Sequence, residues 1–287
     1  MSSSANFEPW DGPRMVEVTM AFQGGMPLRR GNGLASGRAR KRSEIMPDLR
    51  TLAKRIVPKS IVRLARRVNQ DWLMRYGTRS YSQEGEDIFL NGIFPGRRDG
   101  FYVDIGACHP VVYSNTHLFY RRGWHGINID PAPGSKRLFD RARRRDTNLE
   151  LAIGTSSRPL EFYLFENSVL NTFDAAQRDI CVAGGSKRAG TVSVAVERLD
   201  AVLDRYLPKG QQIDFMNVDV EASELDVLGS NDWSRFRPKI LCVEIFRVRI
   251  DEMLQHPVGR FLDEAGYEFF AKLKFTSFFR EKAFIVP

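Results

Sequence analysis

Phe101-Tyr-Val-Asp-Ile-Gly-Ala107 decides the fold. An apolar strand runs through Asp104 into a tight turn at Gly106 and Ala107. A second strand, Gly126-Ile-Asn-Ile-Asp130, ends on another carboxylate. Strand, glycine turn, helix and a strand closing on an acid form the layout of a nucleotide-ribose site. The turn lets backbone approach a ligand, and the acid at the second strand tip accepts from ribose hydroxyls. This turn has one glycine rather than the three of a dinucleotide fingerprint. With no pyrophosphate to cradle, the pattern points to a nucleoside cofactor without phosphates, and S-adenosylmethionine is the candidate.

Outward from this core the pattern alternates helix and strand, which predicts a mostly parallel sheet with right-handed crossovers. A helix is expected at 83–93, strands at 101–106 and 126–130, and a helix between them at 114–122. Pro133 opens a strongly basic helix. A third strand is expected at 148–153 and an inserted strand at 160–165. Residues 168–190, with Gly184-Gly185, read as a mobile loop. A strand at 192–196 and a helix at 199–206 follow, then strands at 213–220 and 240–245 around a helix at 223–229. A longer helix is expected at 251–265. Two adjoining strands, 268–275 and 278–286, have almost no connector, so they must form an antiparallel hairpin. The expected fold is α/β: a doubly wound, seven-stranded, mostly parallel sheet with a C-terminal hairpin, matching a Class I methyltransferase better than a dehydrogenase.

Ligands of such sheets bind beyond the carboxyl ends of the strands. Asp104, Gly106, Ala107 and Asp130 are the expected cofactor residues, Asp104 taking the amino group of the methionine end. Asp219 and Glu221 end the fourth strand at the same edge and could serve as a general base, orient the cofactor or share a metal ion. They could equally cap the helix near Ser223, a role that suits Glu224. Glu244 ends the fifth strand there, and Asp219 with Glu244 is the alternative as a metal pair. His109 is a candidate base one turn from the cofactor, or a structural histidine that locks the loop ahead of Pro110. Gln83, in Gln83-Glu-Gly-Glu-Asp87, either folds over the cofactor or belongs to a cap on the sheet.

The composition is that of an ordinary globular chain, 43% hydrophobic. Three scattered cysteines suit a reducing cytosol and argue against a disulfide framework. No apolar run approaches the roughly 18 residues of a membrane span. The net charge of +8 is uneven. Residues 1–75 hold 15 Lys+Arg against 6 Asp+Glu, and the rest of the chain is balanced. Residues 1–47 read as a disordered basic arm, with Met46 an alternative start. Residues 48–80 read as basic amphipathic helices, with Leu49, Leu52, Ile56, Ile61 and Leu64 on the apolar stripe. Such a segment either docks on the main domain, residues 81–287, or lies on an anionic membrane face. The expected location is cytoplasmic, with peripheral contact at the inner membrane face as the further option.

Five blocks carry a resemblance: Ser82-Gln-Glu-Gly-Glu-Asp87, Phe101–Pro110, Tyr113-Ser-Asn-Thr116, Gly123–Asp130 and Ile213–Glu224. At these residues the chain resembles the FkbM family of S-adenosylmethionine-dependent O-methyltransferases. The resemblance covers roughly residues 80–285. It implies a Class I fold, S-adenosylmethionine as methyl donor, and hydroxyl acceptors on sugars, glycolipids or related secondary metabolites. It supports Asp104, Gly106 and Asp130 at the cofactor, and Asp219 and Glu221 at the reaction edge. The family usually carries Gly after the Glu of the last block, where this chain has Ala222; a right-handed backbone there would accept the extra methyl.

The rival readings are an NAD-dependent oxidoreductase, which lacks its glycines here, and a nucleic-acid methyltransferase, for which no base-flipping motif is evident. With the charge confined to the arm, nucleic acid is a disfavoured partner.

Overall fold

The computed structural model describes residues 78–246 and 248–286. The basic arm, and all of the 48–80 segment except its last three residues, lie outside the described residues. Residues from Thr78 onward form one compact unit.

A seven-stranded sheet organises this unit. Strands β1 (Phe101–Ile105), β2 (His125–Ile129) and β3 (Thr147–Leu149) alternate with helices α1 (Glu86–Ile93), α2 (His117–Arg121) and α3 (Ser135–Ala142). An inserted region holds β4 (Ala152–Ile153), β5 (Leu160–Phe165), α4 (Ala175–Ala183), β6 (Arg188–Val194) and β7 (Val196–Glu197). The main sheet resumes with α5 (Leu199–Tyr206), β8 (Phe215–Val218), α6 (Glu224–Gly229), β9 (Ile240–Glu244), α7 (Pro257–Glu264), β10 (Tyr267–Lys272) and β11 (Thr276–Glu281). The strand order is β10-β11-β9-β8-β1-β2-β3. Neighbours from β9 to β3 are parallel, and β11 pairs antiparallel with both β9 and β10. The expected doubly wound sheet and its closing hairpin are present.

Alternation along the strands divides the core into two layers. Phe101, Val103 and Ile105 of β1 pack with Met216, Val218, Leu241 and Val243 against Leu199, Val202, Leu203 and Leu262. Tyr102, Phe215, Ile240 and Cys242 pack on the opposite face with Leu90, Phe119 and Trp124. Phe119, Trp124 and Phe215 meet ring to ring, 4.8 to 5.9 Å apart, which fixes α2 on the sheet. The chain winds one way from β1 to β3 and the other way from β1 to β9. The reversal between β1 and β8 opens the crevice where such sheets bind ligands.

Three expected elements differ. The strand at 148–153 is split: β3 stays in the main sheet, while β4 leaves it to pair with β7. Residues 168–190 are ordered rather than a loop: a 3-10 turn at Ser168–Leu170, then α4, whose N-cap Asp174 accepts from Ala176 N, then the start of β6. β6 pairs antiparallel with β5. The Gly184-Gly185 pair ends α4, which is the ordinary use of glycine after a helix. The helix at 251–265 is a 3-10 segment, Ile250–Gln255, followed by α7, because Pro257 starts a new helix capped by His256. Among the described residues no helix is long and apolar enough to cross a membrane.

Candidate active site

A cavity of about 970 Å³, open mouth included, lies over the carboxyl ends of β1, β2, β8 and β9. Its lining includes Gln83, Asp104, Gly106, Ala107, Asp130, Asp219, Glu221 and Glu244. Of the candidates proposed from sequence, only His109 is absent from it.

Gly106 adopts φ +80, open to glycine without strain. A Cβ at this position would come within 1.6 Å of the Asp219 carbonyl oxygen. The close approach of the turn to β8 therefore requires glycine. The amides of Gly106 and Ala107 donate to Ile129 O at 2.9 and 3.1 Å. These two amides are committed to the sheet, and both residues line the cavity, where the turn shapes its floor.

Asp130, just beyond β2, is held by its own loop. Cys108 N donates to Oδ2 at 2.8 Å and Ala132 N to Oδ1 at 2.9 Å. Cys108 takes a left-handed φ of 50 to aim that amide. Each oxygen keeps a lone pair that can accept from a ligand hydroxyl. Burial pushes the carboxyl up to about 6, with the two amides pulling the other way.

Asp104 is fully buried, and its oxygens are already engaged. Oδ2 accepts from Thr116 Oγ1 at 2.8 Å and Oδ1 from Asn217 Nδ2 at 3.0 Å. Asn217 Oδ1 in turn accepts from Asn115 Nδ2 at 2.9 Å. Burial raises the Asp104 carboxyl, and these bonds with the Arg143 charge oppose the rise. Asp104 thus anchors Asn115 and Asn217 at the cavity wall as well as facing it.

Arg143 is the residue that the sequence reading missed. It follows the basic helix α3 and looks like one more solvated arginine, yet it is 0% exposed. Its guanidinium donates to Pro110 O, Tyr102 OH and Ser114 Oγ at 2.8 to 3.0 Å, and to Thr116 Oγ1 at 3.3 Å. One buried cation thereby ties the 110–116 loop to β1. The only available signal was the nearby Tyr113-Ser-Asn-Thr116 block, which supplies two of its acceptors.

His109 Nδ1 accepts from Val111 N and Val112 N at 3.1 and 3.0 Å. Of its two readings this geometry matches the lock on the loop, and burial together with Arg143 lowers its affinity for a proton. The cap formed by 82–87 holds β11. Glu84 accepts from Phe275 N and Glu86 from Thr276 Oγ1, which leaves Gln83 at the cavity.

At the far end stand Asp219, Glu221 and Glu244, each with a carboxylate oxygen within 4.8 Å of the others. Burial raises all three; neighbouring acids of the cluster add to the rise at Glu221 and Glu244, and the charges of Asp104 and Glu86 add to it at Asp219. Glu221 is pushed up to about 8 by burial, then by the charges of Asp219 and Glu224. Asp219 and Glu244 face each other and compete for one proton. Glu221 and Ala222 have φ values of 52 and 77. The condition under which Ala222 would be free of strain is therefore not met: the backbone is left-handed, where glycine is the relaxed residue. Glu224 accepts from Ala222 N at 3.1 Å and so ties down this turn, while the helix that follows has no side-chain cap at Ser223.

The inserted region closes the other side. Phe162, Val169 and Phe173 give it apolar surface beside Pro131 and Ala132, while Ser168, Asn171 and Thr172 add polar groups.

The family model described as the methyltransferase FkbM domain matches residues 104–269, over half of the chain. No curated protein matches. Among solved structures the chain is similar to the 1,6-didemethyltoxoflavin-N1-methyltransferase of Burkholderia thailandensis, solved with 1,6-didemethyltoxoflavin and S-adenosylhomocysteine. The identity is 10% and the TM-score 0.38, over 83% of this chain and 92% of that one. A TehB-like methyltransferase from Corynebacterium glutamicum is 10% identical, with a TM-score of 0.36, over 79% of this chain and 100% of that one. An O-methyltransferase from Bacillus cereus, in complex with S-adenosylhomocysteine, is 13% identical, with a TM-score of 0.34, over 80% and 93%.

Proposed function

Because the chain belongs to the FkbM methyltransferase family, we propose that it moves a methyl group from S-adenosylmethionine to a hydroxyl oxygen of a sugar, glycolipid or related secondary metabolite. The observation that carries this reading is one cavity with a ribose-type carboxylate, Asp130, at one strand tip and three clustered carboxylates at two others.

The donor set suits S-adenosylmethionine. Asp130 has lone pairs for the two ribose hydroxyls, and Pro131, Ala132, Phe162 and Phe173 offer apolar surface for a base. Gln83 and Asn115 are the polar groups available to the methionine end, beside the anchored Asp104. When bound, S-adenosylmethionine supplies a methyl group on a positively charged sulfur. The acidic wall of Asp104, Asp219, Glu221 and Glu244 favours a cation in this cavity.

An alcohol stays protonated at neutral pH, so a base must take its proton as the new bond forms. Glu221 is the base in this reading. Its raised proton affinity brings it near neutrality, and its position at the cavity lets it meet an acceptor hydroxyl. Asp219, backed by β1 through Asp219 N to Ile105 O at 3.0 Å, orients the acceptor. Most of the rate then comes from alignment of the oxygen with the methyl carbon.

The test is release of S-adenosylhomocysteine by the full chain, challenged in parallel with glycolipid extracts, soluble oligosaccharides and nucleic acid. Mass spectrometry should show a glycan product heavier by one methylene unit. Turnover on nucleic acid alone would defeat the acceptor assignment. The basic segment 1–80 supports a lipid-linked acceptor at a membrane face. Unchanged vesicle association after its deletion would remove that support.

A further inference from the structure

We infer that Asp219, Glu221 and Glu244 hold a divalent cation of the hard, oxygen-preferring kind, at the acceptor end of the cavity. The inference deepens the methyl-transfer reading and rests on it for the purpose of the ion, while the site stands on its own geometry.

Three observations converge. The first is distance: one oxygen from each carboxylate lies within 4.8 Å of the other two, a spacing that a single small ion can bridge after a modest contraction. The second is Glu244 itself. Its side chain is about nine-tenths buried, at 8% exposure, and Oε2 is wholly buried and has no hydrogen-bond partner. A buried carboxylate oxygen without a partner is costly. This one belongs to a side chain that lines the cavity and lies beside two further acids. The third is the lack of a paired protein cation, although the Lys272 ammonium is near enough to feel the charge of Glu244. Among the described residues no lysine or arginine forms an ion pair with any of the three. Lys272, which lies on β10, spends its ammonium on Ile245 O, Phe275 O and Ser277 Oγ.

The backbone builds this arrangement rather than leaving it to chance. The pairing of Val218 with Val243 puts the next residues, Asp219 and Glu244, side by side at the ends of β8 and β9. The left-handed turn at Glu221 and Ala222 keeps the third carboxylate at the cavity rather than sending it away along α6. An all-oxygen ligand set suits Mg²⁺, Mn²⁺ or Ca²⁺, whereas zinc and copper sites are usually built with His or Cys. Three protein ligands leave coordination positions for water and for an acceptor hydroxyl. With an ion in place, coordination would make that hydroxyl more acidic, and Glu221 would hold the ion through one carboxylate oxygen while the other took the hydroxyl proton as the methyl bond formed.

The full chain, stripped with a chelator, is titrated with Mn²⁺ alone and free ion is read by electron paramagnetic resonance. The expected result is saturable binding of a single Mn²⁺ per chain, displaced by Mg²⁺ or Ca²⁺. Glu244→Gln and Glu221→Gln, both isosteric, should weaken it by roughly tenfold or more, since each removes one of three ligand charges. Thermal melting of both variants monitors folding, and Glu221→Gln, at the more exposed position, serves if Glu244→Gln does not fold. Absence of saturable Mn²⁺ binding, or equal binding by parent and folded variants, overturns the inference. Calorimetry with S-adenosylmethionine in chelator separates the two claims. Binding there without any Mn²⁺ site defeats the ion and leaves the methyltransferase reading standing. Failure to bind S-adenosylmethionine with or without Mn²⁺ defeats that reading whatever the ion does.

Discussion

Asp219 stands beside Glu244 because β8 and β9 run parallel with Val218 opposite Val243. That register turns two acids 25 positions apart in sequence into one buried pair. A slip of one residue in either strand would turn that strand's acid to the other face of the sheet. The acidic end of the cavity is therefore a property of the sheet.

Asp130→Asn keeps the shape but loses the charge that ribose hydroxyls prefer. It should weaken S-adenosylmethionine binding by about 1.5–3 kcal/mol, the worth of hydrogen bonds to a charged group. Glu221→Gln should spare binding and lower turnover. Calorimetry and single-turnover kinetics read the two effects separately.

The same carboxyl sets a pH dependence. Burial raises Asp130 to about 6 in the free protein, so it is ionised above that pH and protonated below. A ligand that donates to the ionised form binds less well as pH falls through this value. Affinity should drop by up to about tenfold per unit below it, and Asp130→Asn should abolish that slope. A binding curve flat from pH 7 to pH 5 in the parent would contradict the assignment.

Gly106→Ala forces a methyl against the Asp219 carbonyl, 1.6 Å away, on a backbone of positive φ. Destabilisation of about 3 kcal/mol is expected from overpacking and strain together. Denaturant unfolding of the two proteins measures it.

Ala222→Gly works in the opposite direction. The left-handed residue at φ 77 is strained as alanine and relaxed as glycine. Relief of about 1–2 kcal/mol is offset in part by the greater freedom of glycine in the unfolded chain, which leaves a gain of up to about 1 kcal/mol. A loss of stability in the same denaturant assay would show that the methyl group makes a packing contact worth more than the strain.

Much of this site was legible in the sequence. The tips marked by Asp130, Asp219 and Glu244 follow from apolar runs that end on acids, Asp104 from an acid one residue before its strand ends, and the turn from Gly106. Two things were hidden. Arg143 is buried because tertiary packing folds the 110–116 loop over it, and nothing in a run of arginines marks which one will be covered. The ordered insert at 168–190 hides its strand among polar residues because β5 and β6 leave one face exposed. His109 stayed open between two readings for a related reason: proximity in sequence to the glycine turn does not say which way a ring points, and the backbone amides of Val111 and Val112 donate to it.

The most direct measurement of the central claim is a crystal structure of the full chain soaked with S-adenosylhomocysteine. The ribose hydroxyls should lie within hydrogen-bonding distance of the Asp130 carboxylate, with the sulfur directed toward Asp219 and Glu221. A nucleoside bound elsewhere, or one whose ribose makes no contact with Asp130, would contradict it.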